Sequence, residues 1–480
     1  ARVRGGGARR QSAAVAAAQA ASRRQSVLAA MRGALLDANG IDKVHEIGDR
    51  EKAEIDQMVK AEQVNMQVLA NRANAAWVES HAPGWHNPRV VELLDRKLLD
   101  VYRKAVPQLI GAGSVALQLV YLGEEQVISQ PGANAASHGG ESRVPAIEAD
   151  LWRAIAALFP HKVPPDTPLL MGLTLLDRRV LQTILEVERV GGKGAAAKLT
   201  LLLTVDSAYV GWAAEQAAIR KFWGLEQQSI VFVPIVRFPG MSWLSDDKLF
   251  HLEYSATEDY SVAGSGYAML ALAWPGVAFT LVGYGAAAER DYLSGSVLQL
   301  LQARQVEHLC SSLLVDYEQL SPACPFPDAA FLINALYAVD LQDAGMVMEV
   351  VEGHTDSHVR QQGNLVMSTG PSSPLSAAVS TACLQTAPTR SLVVKALRGG
   401  LLHSATSRYF FRLPLLKAAL TGPSIFHPEI SVSGAAAHLT LRAIDLALSD
   451  KLRCVAVAGR GGSGPEDGAA RVAAGALRGL

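Results

Sequence analysis

Cysteine is scarce, with four residues in 480 (Cys310, Cys324, Cys383 and Cys454) and no C-x-x-C spacing among them. That excludes a cysteine-built zinc site and a dense disulfide framework, and it fits a reducing compartment. Net charge is also nearly absent: 44 Lys and Arg against 45 Asp and Glu leave −1 at pH 7. No global field is available to draw in nucleic acid or an anionic membrane. Acidic residues are missing from the first 36 positions, where Arg2, Arg4, Arg9, Arg10, Arg23, Arg24 and Arg32 sit among Ala, Gly, Ser and Gln. This is the composition of a plastid or mitochondrial transit peptide. A solvated tail on a cytoplasmic protein has the same composition, and both readings stand. Charge of either sign is absent from Ser261 to Ala288. A spanning helix needs about 20 apolar residues, but Pro275 and the glycines Gly264, Gly266, Gly276, Gly283 and Gly285 interrupt this run. The reading is a helix, a turn at Pro275-Gly276 and a buried strand from Val277 to Val282, with no membrane span.

What is present points to a large globular chain. At 480 residues, 49% hydrophobic and 19% charged, it can bury an extensive core. Apolar runs at Val115–Leu122, Leu199–Val205 and Ile230–Val233 predict buried strands, and Asp177–Val190 and Ala208–Phe222 predict helices between them. Such alternation marks an α/β sheet with helices on its faces. Leu169–Leu175 and the runs between Phe331 and Val351 also look strand-like, and His438–Leu448 looks helical. The expected division is an unstructured or transit-like stretch over 1–40, a helical N-terminal subdomain over 41–108, an α/β domain over 109–420 and a small C-terminal subdomain over 421–480. His354, Asp356 and His358 sit at a spacing of two in a loop-like stretch, which favours a solvated loop over a metal cluster. Asp206 follows a predicted strand, where a helix N-cap accounts for it as well as a ligand does.

The most specific text lies between Arg220 and Leu270. Lys221-Phe222-Trp223-Gly224-Leu225-Glu226 reads as a helix end with Gly224 as its left-handed cap, followed by a buried strand. Asp247-Lys248-Leu249-Phe250-His251-Leu252-Glu253 comes next, and Gly264-Ser265-Gly266-Tyr267-Ala268-Met269-Leu270 then reads as a glycine turn opening a helix. There, backbone N–H groups can face a ligand with no side chain in the way. In order and spacing these three pieces resemble the eukaryotic UDP-sugar pyrophosphorylases, most closely the UDP-N-acetylglucosamine pyrophosphorylase family. His403–Phe411 and the trailing Leu413, Leu415 and Leu416 continue the likeness, as does Gly464–Leu477.

The resemblance implies a Rossmann-like nucleotidyltransferase fold of glycosyltransferase-A type, with a central mixed sheet. It implies a magnesium-dependent reaction of UTP with N-acetylglucosamine 1-phosphate or another sugar 1-phosphate, giving UDP-sugar and pyrophosphate by positioning and charge neutralisation. Carried over by position, Gly123, Gly264 and Gly266 fall on the nucleotide side, and Ser404 and Ser407 on the sugar side.

The chain departs from the family where the chemistry sits. After Leu122 the glycine-rich phosphate loop with its Arg is replaced by Gly123-Glu124-Glu125-Gln126, and the Pro-Lys-Gly that follows in the family by Gln130-Pro131-Gly132. Two carboxylates oppose a phosphate, each by roughly 1 kcal/mol at ~5 Å in water. Ser312-Leu313-Leu314 stands where the family's strand carries its magnesium-binding Asp, with Asp316 the nearest carboxylate. The two sugar-side Asn positions hold small residues. The expectation is therefore a degenerate, non-catalytic relative acting in binding or assembly, with UTP or UDP-sugar as a weak ligand, a protein partner possible and no metal ligands assigned. The alternative is an active uridylyltransferase with an altered phosphate loop that uses Mg2+. Val457–Gly464 tempts a phosphate-loop reading, but lacks the Lys-Ser/Thr of that motif.

Overall fold

The computed structural model describes residues 96–122, 173–244, 249–252, 260–283, 285, 288–313, 326–352, 364–368, 376–380, 402–422, 426, 429–433, 436–449 and 451–458, with 68, 70, 89–90, 154–155 and 157–159. In chain order the strands begin with β1 (Arg89–Val90), β2 (Val115–Tyr121), β3 (Leu201–Asp206), β4 (Ile230–Ile235), β5 (Arg237–Pro239) and β6 (Met241–Leu244). They continue with β7 (Leu249–Leu252), β8 (Tyr260–Val262), β9 (Phe279–Val282), β10 (Glu289–Tyr292), β11 (His308–Leu313) and β12 (Met346–Glu352). The last are β13 (Asn364–Ser368), β14 (Ser376–Ser380), β15 (Leu402–Arg412), β16 (Glu429–Ser433), β17 (Ala436–Thr440) and β18 (Cys454–Ala458). The α-helices are α1 (Arg96–Ala112), α2 (Leu175–Gly191), α3 (Val210–Ile219), α4 (Ser265–Leu270), α5 (Val297–Ala303), α6 (Ala329–Gln342) and α7 (Leu413–Leu420).

Among the described residues, twelve strands join one mixed sheet in the order β1-β18-β12-β15-β11-β2-β3-β4-β9-β10, with the β13–β14 hairpin attached to β15. β2, β3 and β4 run parallel and in register, Leu117 beside Leu201 and Leu201 beside Ile230, so the three predicted strands share one sheet. Their side chains alternate between two apolar layers. Leu117, Leu119, Leu201, Leu203 and Phe232 pack with α1, α2, α3 and α6. Ala116, Val120, Leu202, Val231 and Val233 pack with α4, α5, α7 and a 3-10 stretch at Ala443–Leu448. Strands covered on both faces need continuous apolar runs, and these have them.

Several local expectations change. Leu175 begins α2 and does not end a strand: Thr174 and Asp177 form a capping box, each side chain taking the other's backbone N–H at 3.1 and 3.0 Å. Phe331 to Leu341 is helical because Asp328 caps it, its Oδ1 accepting from Ala330 N at 2.8 Å. Its apolar residues go all round, which hides the helical period. The run from His438 divides between β17 and the 3-10 stretch. Residues 421–480 do not stand apart among the described residues: β16 and β17 pair onto β6 and β7, and β18 enters the central sheet between β1 and β12. The apolar run of β18 is buried on both sides only in that position. Within the helical N-terminal stretch, α1 is the main described element. No helix among the described residues is long and apolar enough to cross a membrane.

His308 opens β11 at the amino end of the sheet, stacked on Phe410 with 4.8 Å between ring centroids. Burial first, and the Arg412 charge second, push its pKa down from 6.5 to about 4. Between those values the unfolded chain binds the proton and the folded chain does not. Stability from this group is complete above about 6.5, declines as pH falls, and levels off below about 4, a loss of about 3 kcal/mol across the window. Urea midpoints at pH 7 and pH 4.5 should fall further apart in the wild type than in His308→Gln. Equal spacing in the two proteins would refute this.

Candidate functional site

Chain direction locates a switch point in the sheet. From β2 the chain builds outward through β3 to β4 and on to β9 and β10, and the next strand of the central sheet, β11, is laid parallel on the other side of β2. The carboxyl ends of β2 and β11 therefore flank a topological switch point, where open α/β sheets bind ligands. β2 leads there into Leu122, which packs against the second apolar layer. β11 closes on Ser312 and Leu313, and Leu313, partly buried, packs against that same layer.

The Gly264 turn lies at this end of the sheet. β4 runs on to Val236, whose carbonyl accepts from Ala263 N at 3.0 Å. β4 is two strand spacings from β2, about 10 Å, so the turn and the end of β2 border one region. The glycines also have a packing role. A Cβ on Gly264 would lie 2.4 Å from the Leu441 carbonyl oxygen, and one on Gly266 2.8 Å from Leu441 and Arg442 backbone atoms. Gly266 N donates to Leu441 O at 2.8 Å, Leu441 N to Ala263 O at 2.8 Å, and Ala443 N to Ser265 Oγ at 3.0 Å. Leu441 thus occupies the space that the sequence suggests for a ligand, a contact no local pattern foretells. Gly264 has φ +92°, a region closed to L-residues, so Gly264→Ala should cost about 2–4 kcal/mol from strain and overlap together. A denaturation midpoint within error of the wild type would refute that.

Asp206 closes β3 fully buried, beside Leu122 by the β2–β3 register, in which Tyr121 pairs with Val205. Its Oδ1 accepts from Ala208 N at 3.0 Å, which accounts for part of its expected capping role, although α3 itself starts at Val210. Sequence reasoning missed its other partner. Arg237 grips both carboxylate oxygens, Nε at 2.9 and 2.8 Å and Nη2 at 2.6 Å, with its guanidinium 5.2 Å from the Tyr209 ring centroid. The bond to Asp206 raises the Arg237 pKa further above its ordinary value. The signal available in the sequence was an Arg directly after a buried strand.

Ser404 lies on β15 between Val351 of β12 and Leu365 of β13, and Ser407 lies farther along the same strand. Gly123, Glu124, Glu125, Asp316, the His354–His358 cluster and the residues after Ala458 lie outside the described residues.

Among the described residues no three His, Cys, Asp or Glu side chains cluster to hold an ion, and Leu313 offers no oxygen to a hard cation. Cys310 and Cys454 are buried thiols whose pKa desolvation pushes up to about 12.

No protein-family model matches the sequence, and no curated protein does. Solved structures do resemble the fold. The uridine diphosphate N-acetylglucosamine pyrophosphorylase of Trypanosoma brucei, in complex with an inhibitor, matches with a TM-score of 0.50 at 13% identity, covering 89% of this chain and 80% of that one. A variant of UDP-glucose pyrophosphorylase from Leishmania major gives 0.44 at 13% identity, covering 83% and 74%. The chain therefore has a mixed α/β, nucleotidyltransferase-like fold.

Proposed function

We propose that this chain is a UDP-sugar pyrophosphorylase-like protein that binds a uridine nucleotide or UDP-sugar at the carboxyl ends of β2 and β11 without turning it over, serving in binding or assembly. The Trypanosoma brucei likeness supports the class. The observation that carries the non-catalytic reading is Leu313, a partly buried aliphatic residue packed against the core at the end of the strand beside the switch point. In the resembled family that position holds magnesium. The loop Arg and Lys of the family are missing from the sequence as well. Each lost charge-assisted contact is worth roughly 1.5–3 kcal/mol. Half of the summed loss weakens UTP binding by about two to three orders of magnitude.

A pyrophosphate-release assay with UTP, Mg2+ and either N-acetylglucosamine 1-phosphate or glucose 1-phosphate should show no saturable turnover. Calorimetry with uridine and UDP-sugar should still detect binding. Saturable, magnesium-dependent turnover would establish the other reading, an active uridylyltransferase with an altered phosphate loop.

A further inference from the structure

We propose that Arg237, pinned on Asp206, is the group that meets the phosphates of a nucleotide at this switch point, an inference that rests on the reading above. Among the described residues that close β2, β3, β4 and β11 or directly follow them, Arg237 is the cation. It stands one residue past Val236, opposite Val262 in the β5–β8 pair and so two residues from the Gly264 turn. Its carboxylate partner sits beside Leu122, where the loop after β2 begins. The side chain is 29% exposed, while Asp206 is fully buried. Asp206 thus holds the Nε–Nη2 edge of the guanidinium from the interior, while part of the Arg237 side chain is open to solvent.

The geometry is that of a positioned donor. A guanidinium has five N–H donors in a rigid plane. Asp206 takes the Nε and Nη2 edge, and Tyr209 both lies against the group and accepts a hydrogen bond from it. Fixing the plane in advance removes the entropy that a long side chain loses on clasping an anion. Because Asp206 cancels the charge, Arg237 contributes directed hydrogen bonds and not net attraction. A lysine cannot substitute, since one ammonium cannot span Asp206 and a phosphate as a planar fork does. The same pairing also neutralises a carboxylate that would otherwise repel the ligand at the strand end.

The test is calorimetric titration of uridine, UMP and UDP into the full chain and into Arg237→Gln, Arg237→Lys and the double variant Asp206→Asn/Arg237→Gln. In the wild type, UDP should bind at least about tenfold more tightly than uridine, and the Arg237 variants should lose about 10- to 100-fold in UDP affinity. Uridine affinity should stay within about twofold, well under the 1.4 kcal/mol that marks a tenfold change. The double variant leaves no buried charge unpaired and keeps the protein folded, as its melting curve will show. UDP affinity unchanged in that folded variant overturns the proposal. Uridine binding with no gain for UDP in the wild type overturns it too, while sparing the nucleotide-binding reading. Failure of both ligands to bind the wild type overturns that reading and this inference with it.

Discussion

Asp177→Ala should lower the free energy of unfolding by about 3–5 kcal/mol, the range for removing one member of a buried ion pair. Asp177 is wholly inaccessible and does several things at once. It caps α2 through Thr174, accepts from Trp223 Nε1 at 2.8 Å, and lies 3.3 Å from Arg220 Nε. These contacts anchor an unusual turn. Lys221, Phe222 and Trp223 all have positive φ, at 50°, 56° and 51°, and Gly224 follows at 87°. Each non-glycine residue in that region costs roughly 1–2 kcal/mol. The strain persists because Phe222 and Trp223 are fully buried and the indole is tied to Asp177. Asp177→Asn, which keeps the shape and the acceptor, should cost less than Asp177→Ala. A urea midpoint for Asp177→Ala equivalent to less than about 1 kcal/mol would show the knot to be incidental.

That turn shows where local reading fails. The helix expected to run to Phe222 and be capped by Gly224 ends at Ile219 with Arg220 as its cap, and a separate turn of positive φ begins at Lys221. Lys221, Phe222 and Trp223 share the positive φ of Gly224, held by the burial of both rings and by Asp177, 46 positions before Trp223. By contrast β2, β3 and β4 were legible, since continuous apolar runs between helices demand burial on both faces. The helix α6 was not, because an apolar surface all round carries no period and its one clear signal is the Asp328 cap. At the candidate site, the glycines at 264 and 266 stood out, yet their partner at Leu441 lies far along the chain. Arg237 and Asp206 are 31 residues apart and neither belongs to a motif, so their pairing exists only in three dimensions. What the sequence did expose there is residue type: Leu313, at the end of a buried strand, offers no oxygen ligand in any fold.

Arg408→Met should be about as destabilising as Asp177→Ala, at about 3–5 kcal/mol, and should be partly reversed by a second substitution. Arg408 is 3% exposed on β15, with its Nη1 3.3 Å from Glu349 Oε2 on β12 and 3.6 Å from Asp328 Oδ2 at the start of α6. One cation thus ties two strands to the helix that covers them. Removing it leaves two carboxylates facing each other in the interior, and the helix cap at Asp328 is drawn into the repulsion. Glu349→Gln in the Arg408→Met background relieves that repulsion while keeping the volume. The double variant should therefore be more stable than Arg408→Met alone, with a coupling of at least about 1 kcal/mol in the mutant cycle. Additive losses would mean that Arg408 acts through packing of its aliphatic stem and not through its charge.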